Sequence, residues 1–123
     1  LVESKNKPGE VLEQADETLS FLKENGVDLY LSGHQHVYYP AQKESVMLYH
    51  SGCLGGGPRS LLGDDQVPYK AYGLIEIPKK INKKQDVKIS GIKAVDHQEI
   101  ELYKLPVQVS GFNGTLNRID VVK

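Results

Sequence analysis

The run Val27-Asp28-Leu29-Tyr30-Leu31-Ser32-Gly33-His34-Gln35-His36 limits this chain more than any other stretch. An apolar, strand-like segment ends in a glycine, and two histidines one residue apart come directly after it. Strand side chains alternate between faces, so extended backbone would aim His34 and His36 the same way. Gly33 gives the backbone room to turn and a ligand room to approach. Neutral imidazole is a common metal ligand, so the pair reads as a candidate metal site.

The flanking pattern says where that strand sits. Residues 9–25 predict a helix, with Val11, Leu12, Ala15, Leu19 and Leu22 as one apolar stripe and Phe21 widening it. Pro8 suits a first helical turn, and Glu10 and Glu13 favour the positive end of the helix dipole. Asn25-Gly26 is a helix stop of the left-handed type. A strand over residues 27–32 comes next, expected to be buried on both faces. A helix feeding such a strand resembles half of a β-α-β unit, and ligands in open α/β sheets bind beyond the carboxyl ends of strands. Gly33-His34-Gln35-His36 occupies that place.

Downstream the signals are mostly β. Residues 37–40 leave the histidines, and residues 41–45 read as a polar turn. Residues 46–50 read as a strand that ends in His50. A glycine-rich loop, Cys53-Leu54-Gly55-Gly56-Gly57-Pro58-Arg59, opens a long connection through Asp64, Asp65 and Pro68. Residues 71–77 predict a strand, and Lys79, Lys80, Lys83 and Lys84 lie in a basic turn. Residues 86–95 and 99–105 read as strands, with a bulge near Gly91 and a hairpin turn at Asp96-His97-Gln98. Val107 and Val109, Asn113-Gly114, and then Leu116, Ile119, Val121 and Val122 read as a last hairpin.

Composition narrows the function classes. The 123 residues are 39% hydrophobic and 25% charged, ordinary for one globular domain or part of one. A net charge of −1 gives no electrostatic case for nucleic acid or a membrane surface, and no apolar run reaches the ~20 residues that span a bilayer. One cysteine, Cys53, excludes an internal disulfide and a cysteine-built zinc site.

Two histidines do not complete a catalytic metal site, which needs about three protein ligands, and two-metal sites add bridging carboxylates. Asp28 lies at the wrong end of its strand, Asp64-Asp65 reads as a solvated turn, and Asp96 and His97 belong to a distant hairpin. None has ligand spacing. His50, at a strand end beside the glycine loop, is a candidate substrate contact. The triple glycine lacks the Gly-Lys-Ser/Thr ending of a P-loop, but its N–H groups suit an anion; Gly56 and Arg59 are therefore candidate phosphate contacts. Cys53 lacks a nucleophile motif, and Asn113-Gly114-Thr115 fits a glycosylation sequon less well than a hairpin turn.

The stretch from Gly26 to His36 resembles the calcineurin-like metallophosphoesterase superfamily, which includes the purple acid phosphatases. Its Gly33-His34-Gln35-His36 is similar to that family's final Gly-His-x-His motif. Tyr49-His50-Ser51-Gly52, the glycine loop and Tyr72-Gly73-Leu74-Ile75-Glu76-Ile77 resemble the strands that come after it there. The resemblance covers about residues 9–77. It implies the C-terminal part of a four-layer α/β/β/α sandwich, mostly β after one N-terminal helix. It further implies a centre of two metal ions (Fe, Zn or Mn) whose activated water hydrolyses phosphate esters. His34 would bind the second metal and His36 the first.

The family's earlier motifs, Asp-x-His, Gly-Asp-x-x-Asp, Gly-Asn-His and an isolated histidine, do not occur here. The expectation is thus one C-terminal portion, residues 1–123, of a longer phosphoesterase that is inactive alone. Its partners would be a phosphate-ester substrate and either the absent N-terminal half or a second copy, with no nucleic acid and no membrane segment. Two competing expectations are a non-catalytic β-rich interaction module with an incidental His-x-His pair and a degenerate family member acting as a scaffold.

Overall fold

The computed structural model describes residues 1–64, 66–83 and 86–121. Asp65, Lys84 and Val122 therefore lie outside the described residues. The chain is mixed α/β and mostly β, with one α-helix and two sheets among the described residues. In order it forms α1 (Ala15–Glu24), β1 (Leu29–Ser32), β2 (Tyr39–Lys43), β3 (Val46–His50), β4 (Ala71–Glu76) and β5 (Lys88–Lys93). A 3-10 turn (Leu102–Lys104), β6 (Gln108–Gly111) and β7 (Gly114–Arg118) complete it. The larger sheet has the order β1-β3-β2-β7-β6, and β4-β5 form the smaller one.

The helix is shorter than the apolar stripe predicts. Ala15 and Leu19 are buried and Leu22 packs on the core, but residues 9–14 are not helical. Their polar groups are used elsewhere: the Gly9 N–H donates to Glu3, and the Glu10 carbonyl accepts from the Gln35 side chain. Pro8 consequently lies outside the helix, and Gln14 enters it with a left-handed φ of 53°. Phe21 does not widen the stripe and is 64% exposed. The helix end is as expected. Gly26 is left-handed, its N–H donates to the Lys23 carbonyl, and the Val27 N–H donates to the Leu22 carbonyl. Those two bonds make a Schellman cap.

β1 pairs in parallel with β3, Leu29 opposite Met47 and Ser32 opposite His50. It is the sheet's edge strand, so it is not buried on both faces as expected; Leu31 is 58% exposed. No described strand pairs with its outer side.

The segment expected to be a departing loop and polar turn is strand β2, central in the sheet. Pro40 argues against a strand in the sequence because proline has no N–H for the ladder. Its carbonyl accepts from the Ile119 N–H on the β7 side, so the missing N–H faces that side too. The β2–β7 ladder pairs Ala41 with Arg118 and Gln42 with Asn117, so Pro40 lies just outside it. Glu44 and Ser45, both at positive φ (54° and 66°), make the tight turn into β3.

In the small sheet Ala71 pairs Lys93 and Glu76 pairs Lys88 without a break, so no bulge occurs at Gly91. Residues 99–105 are not a strand. Glu99 makes one bridge to Ile92, and the chain then coils into the 3-10 turn. Arg118 explains the change: its guanidinium donates to the Leu102 and Leu105 carbonyls, 2.9 and 2.7 Å, and ties that segment to β7. The β6–β7 hairpin forms as predicted, with Phe112 and Asn113 at its corner and Gly114 left-handed at φ 87°.

The core lies between helix, large sheet and small sheet. Tyr39, Leu48, Val46, Ala41 and Leu19 are essentially inaccessible to solvent. Burying each large apolar side chain contributes about 1.5–3 kcal/mol. The buried Tyr39 hydroxyl donates to the Pro106 carbonyl at 2.8 Å, which offsets its desolvation.

Candidate metal and phosphate site

β1 stops at Ser32, and the backbone beyond Gly33 is not extended. His34 and His36 both take left-handed backbone, at φ 79° and 61°. Such conformations are uncommon for residues with a Cβ and persist where the surroundings fix them. The alternation rule therefore does not govern these two side chains, and each ring has its own partner.

The His36 ring is clamped by the glycine loop. Its Nδ1 lies 2.8 Å from the Gly57 carbonyl. A carbonyl only accepts, so Nδ1 carries the hydrogen and the Nε2 lone pair is left for another group. Gly56 lies under the ring: a Cβ there would approach His36 Cε1 to 2.7 Å. The Cys53 thiol is 3.3 Å from the Gly56 carbonyl and braces the same turn.

His34 points its Nε2 at the Glu10 carboxylate, 3.0 Å away. That hydrogen bond, ahead of the nearby Lys7 ammonium at 3.6 Å, holds the Glu10 carboxyl below its ordinary value. Glu10, expected to serve the helix dipole, is instead the partner of His34, because the chain before α1 folds back over the histidine loop.

Gln35, between the two histidines, holds that fold-back in place. It is buried, and both ends of its amide are bonded. Oε1 accepts from the Ser4 N–H and hydroxyl at 3.0 and 2.8 Å, and Nε2 donates to the Lys7 and Glu10 carbonyls at 3.2 and 2.6 Å. Sequence reasoning misses Gln35, since one amide in a polar loop carries no periodic or spacing signal.

Arg59 braces the loop from the other side. Its guanidinium donates to the His34 carbonyl at 3.1 Å, and its backbone N–H donates to the His36 carbonyl at 3.3 Å. A guanidinium carries several N–H groups in a planar fork, so the side chain keeps donors for an anion.

His50 ends β3 beside Ser32 of β1. Its Nδ1 is 3.0 Å from the Tyr39 carbonyl, and its Nε2 is buried with no hydrogen-bond partner. Burial, opposed by the Tyr39 carbonyl, pushes its pKa down to about 3. It is therefore a neutral imidazole at neutral pH. His50 and His34 line one cavity of ≈ 380 Å³ together with Glu10 and Ser51. Gly56 and Arg59 are not part of that cavity; Gly56 meets the His36 ring, and Arg59 meets the loop at the His34 and His36 carbonyls. The candidate residues thus fall into two groups that share the loop.

His97 and Asp96 lie in the distant β5 turn, with His97 Nδ1 3.1 Å from the Tyr72 hydroxyl, and take no part. Among the described residues no group of three or more His, Cys, Asp or Glu side chains is placed to hold one metal ion. The donor chemistry fits a metal at His36, whose free Nε2 and carbonyl-held Nδ1 are the usual state of a ligating histidine. The fit is partial, since bridging carboxylates are not assembled around it. Also among the described residues, no helix is long and apolar enough to cross a membrane. Compared with protein-family models, curated proteins and solved structures, the chain matches none.

Proposed function

We propose that this chain supplies the Gly-His-x-His wall of a two-metal centre in a calcineurin-like phosphoesterase, one that hydrolyses phosphate esters. One observation carries the reading: the Gly57 carbonyl fixes the Nδ1–H tautomer of His36, and Gly56 leaves room for the ring. A ring so oriented has its Nε2 lone pair ready for a metal (Fe, Zn or Mn) before any ion arrives. His34 takes the second ion once Glu10 releases it. Bound ions would supply charge stabilisation at the phosphoryl oxygens and a water of lowered pKa. The chain's own part is to hold the rings and to place Arg59 and the glycine-loop N–H groups beside them, where a phosphate would be bound. His50 forms the neutral wall of the adjoining cavity.

The missing carboxylates belong to a further segment or to a second copy. The open edge of β1, with Leu31 exposed, suits such an addition, because an edge strand offers unpaired N–H and C=O groups to another strand. On this reading the four-layer sandwich forms only when that segment docks, and the 123-residue chain alone does not turn over substrate.

Calorimetric titration with Zn²⁺ or Mn²⁺ tests the proposal on the wild-type chain and the His34→Ala/His36→Ala variant. Binding that the double variant loses is expected; identical isotherms overturn it. A second reading, a non-catalytic interaction module, is favoured by the His34–Glu10 bond, which already satisfies one of the two rings. Under that reading Glu10→Ala loosens the loop without improving metal affinity, whereas the metal reading expects tighter binding once His34 is released.

A further inference from the structure

We propose that the tip of the β4–β5 hairpin, residues 77–83, docks onto an anionic phospholipid surface. Ile77-Pro78-Lys79-Lys80-Ile81-Asn82-Lys83 is exposed throughout. Ile77 is 66% and Ile81 50% exposed, so two large apolar side chains stand in water among three ammonium groups. That combination suits the boundary of a bilayer, where apolar side chains enter the acyl region and lysines meet the headgroups.

Two acids flank the tip, the exposed Glu76 that ends β4 and Asp86 beyond Lys83, and Asp86 is bonded to the turn itself. Asp86 Oδ2 accepts from the Asn82 and Lys83 N–H groups at 2.9 and 3.2 Å, and those bonds hold its carboxyl below the ordinary range. The turn is therefore shaped by its own carboxylate, and Lys79, Lys80 and Lys83 are all exposed on it. Nucleic acid is the poorer match, because the tip has two exposed isoleucines and no aromatic residue for base stacking.

Position gives the tip its use. The Ala71 N–H donates to the Cys53 carbonyl, so the near end of β4 adjoins the glycine loop. β4 runs six residues to Glu76, about 20 Å at the usual strand rise. A docked tip would hold the histidine loop away from the bilayer surface, still open to solvent.

Flotation with vesicles of phosphatidylcholine, alone or with about 30% phosphatidylserine, tests the proposal. The wild-type chain is expected to float with the anionic vesicles and not the neutral ones, less so as salt rises. Each lysine changed to alanine at 79, 80 or 83 should weaken partitioning about fivefold, and all three about 100-fold. Ile77→Ser/Ile81→Ser should weaken it at every salt concentration. All five positions are exposed, and unchanged thermal melting of the variants separates lost docking from lost folding. Equal flotation with both vesicle types overturns the proposal, as does a triple variant that floats like wild type. Retention of the chain by a single-stranded oligonucleotide, without flotation, also overturns it.

Discussion

Gly73 and Gly91 face one another across the β4–β5 ladder, and each stands where a tyrosine ring fills the space of a Cβ. A Cβ at Gly73 would collide with the Tyr49 hydroxyl, and one at Gly91 with the Tyr38 ring. The two rings are themselves packed, 5.9 Å between centroids and tilted by 55°. The small sheet thus rests on the large one through a glycine pair over a tyrosine pair. Gly91→Ala is expected to destabilise the chain by about 1–3 kcal/mol through overpacking. Gly73→Ala should cost a similar amount, because a Cβ there meets the Tyr49 ring carbons Cζ and Cε2 as well as the hydroxyl. Urea denaturation of both variants measures the losses.

His50 sets a pH dependence. Its folded pKa is about 3, well below the ordinary 6.5. The unfolded chain therefore takes up a proton below pH 6.5 that the folded chain refuses. The stability contributed by the neutral ring is complete above pH 6.5 and falls between pH 6.5 and about 3. The slope is at most about 1.4 kcal/mol per pH unit. His50→Asn keeps a donor for the Tyr39 carbonyl but does not titrate. Denaturation at about pH 7 and about pH 5 should show wild type losing more stability than the variant, which cancels contributions common to both.

Gln35 should matter more for structure than its neighbours. Gln35→Leu removes four hydrogen bonds and strands the Ser4 N–H in a buried place. The expected loss is about 2–4 kcal/mol. Amide hydrogen exchange should speed up at Ser4 and, since the segment through Glu10 loses its anchor, near His34. His34→Ala and His36→Ala should leave Ser4 protected.

Gly56→Ala separates the histidine clamp from the fold. The new methyl group displaces the His36 ring and breaks its bond to the Gly57 carbonyl. Global stability should fall little, because the loop can shift outward. Zn²⁺ affinity should fall about 10- to 100-fold, the usual consequence of losing an orienting partner. The His36 Hε1 resonance should move in the NMR spectrum even without metal.

Local chemistry makes part of this fold legible from residue order. The Asn25-Gly26 cap, the apolar strand over Val46 to His50 and the Asn113-Gly114 hairpin appear as expected, since each depends on a few adjacent residues. Misreadings arise where a distant partner decides the outcome. Residues 9–14 have helical periodicity, but Gln35 and Glu3 take their backbone groups. Residues 37–45 read as a departing segment and a polar turn, yet β3 and β7 hold Tyr39–Lys43 between them as a strand. Residues 99–105 have strand composition, yet Arg118 claims their carbonyls.

The same division runs through the candidate site. Sequence alone determined that two histidines come after a strand and a glycine, because the residue types and their spacing are covalent facts. It also determined that no Asp-x-His, Gly-Asp-x-x-Asp or Gly-Asn-His motif occurs in these residues. Only the tertiary structure decided that both histidines are left-handed, that Glu10 and Gly57 hold different rings, and that Gln35 binds the fold-back between them. Those outcomes depend on hydrogen bonds between residues 21 to 31 positions apart, and no local pattern encodes which donor reaches which acceptor.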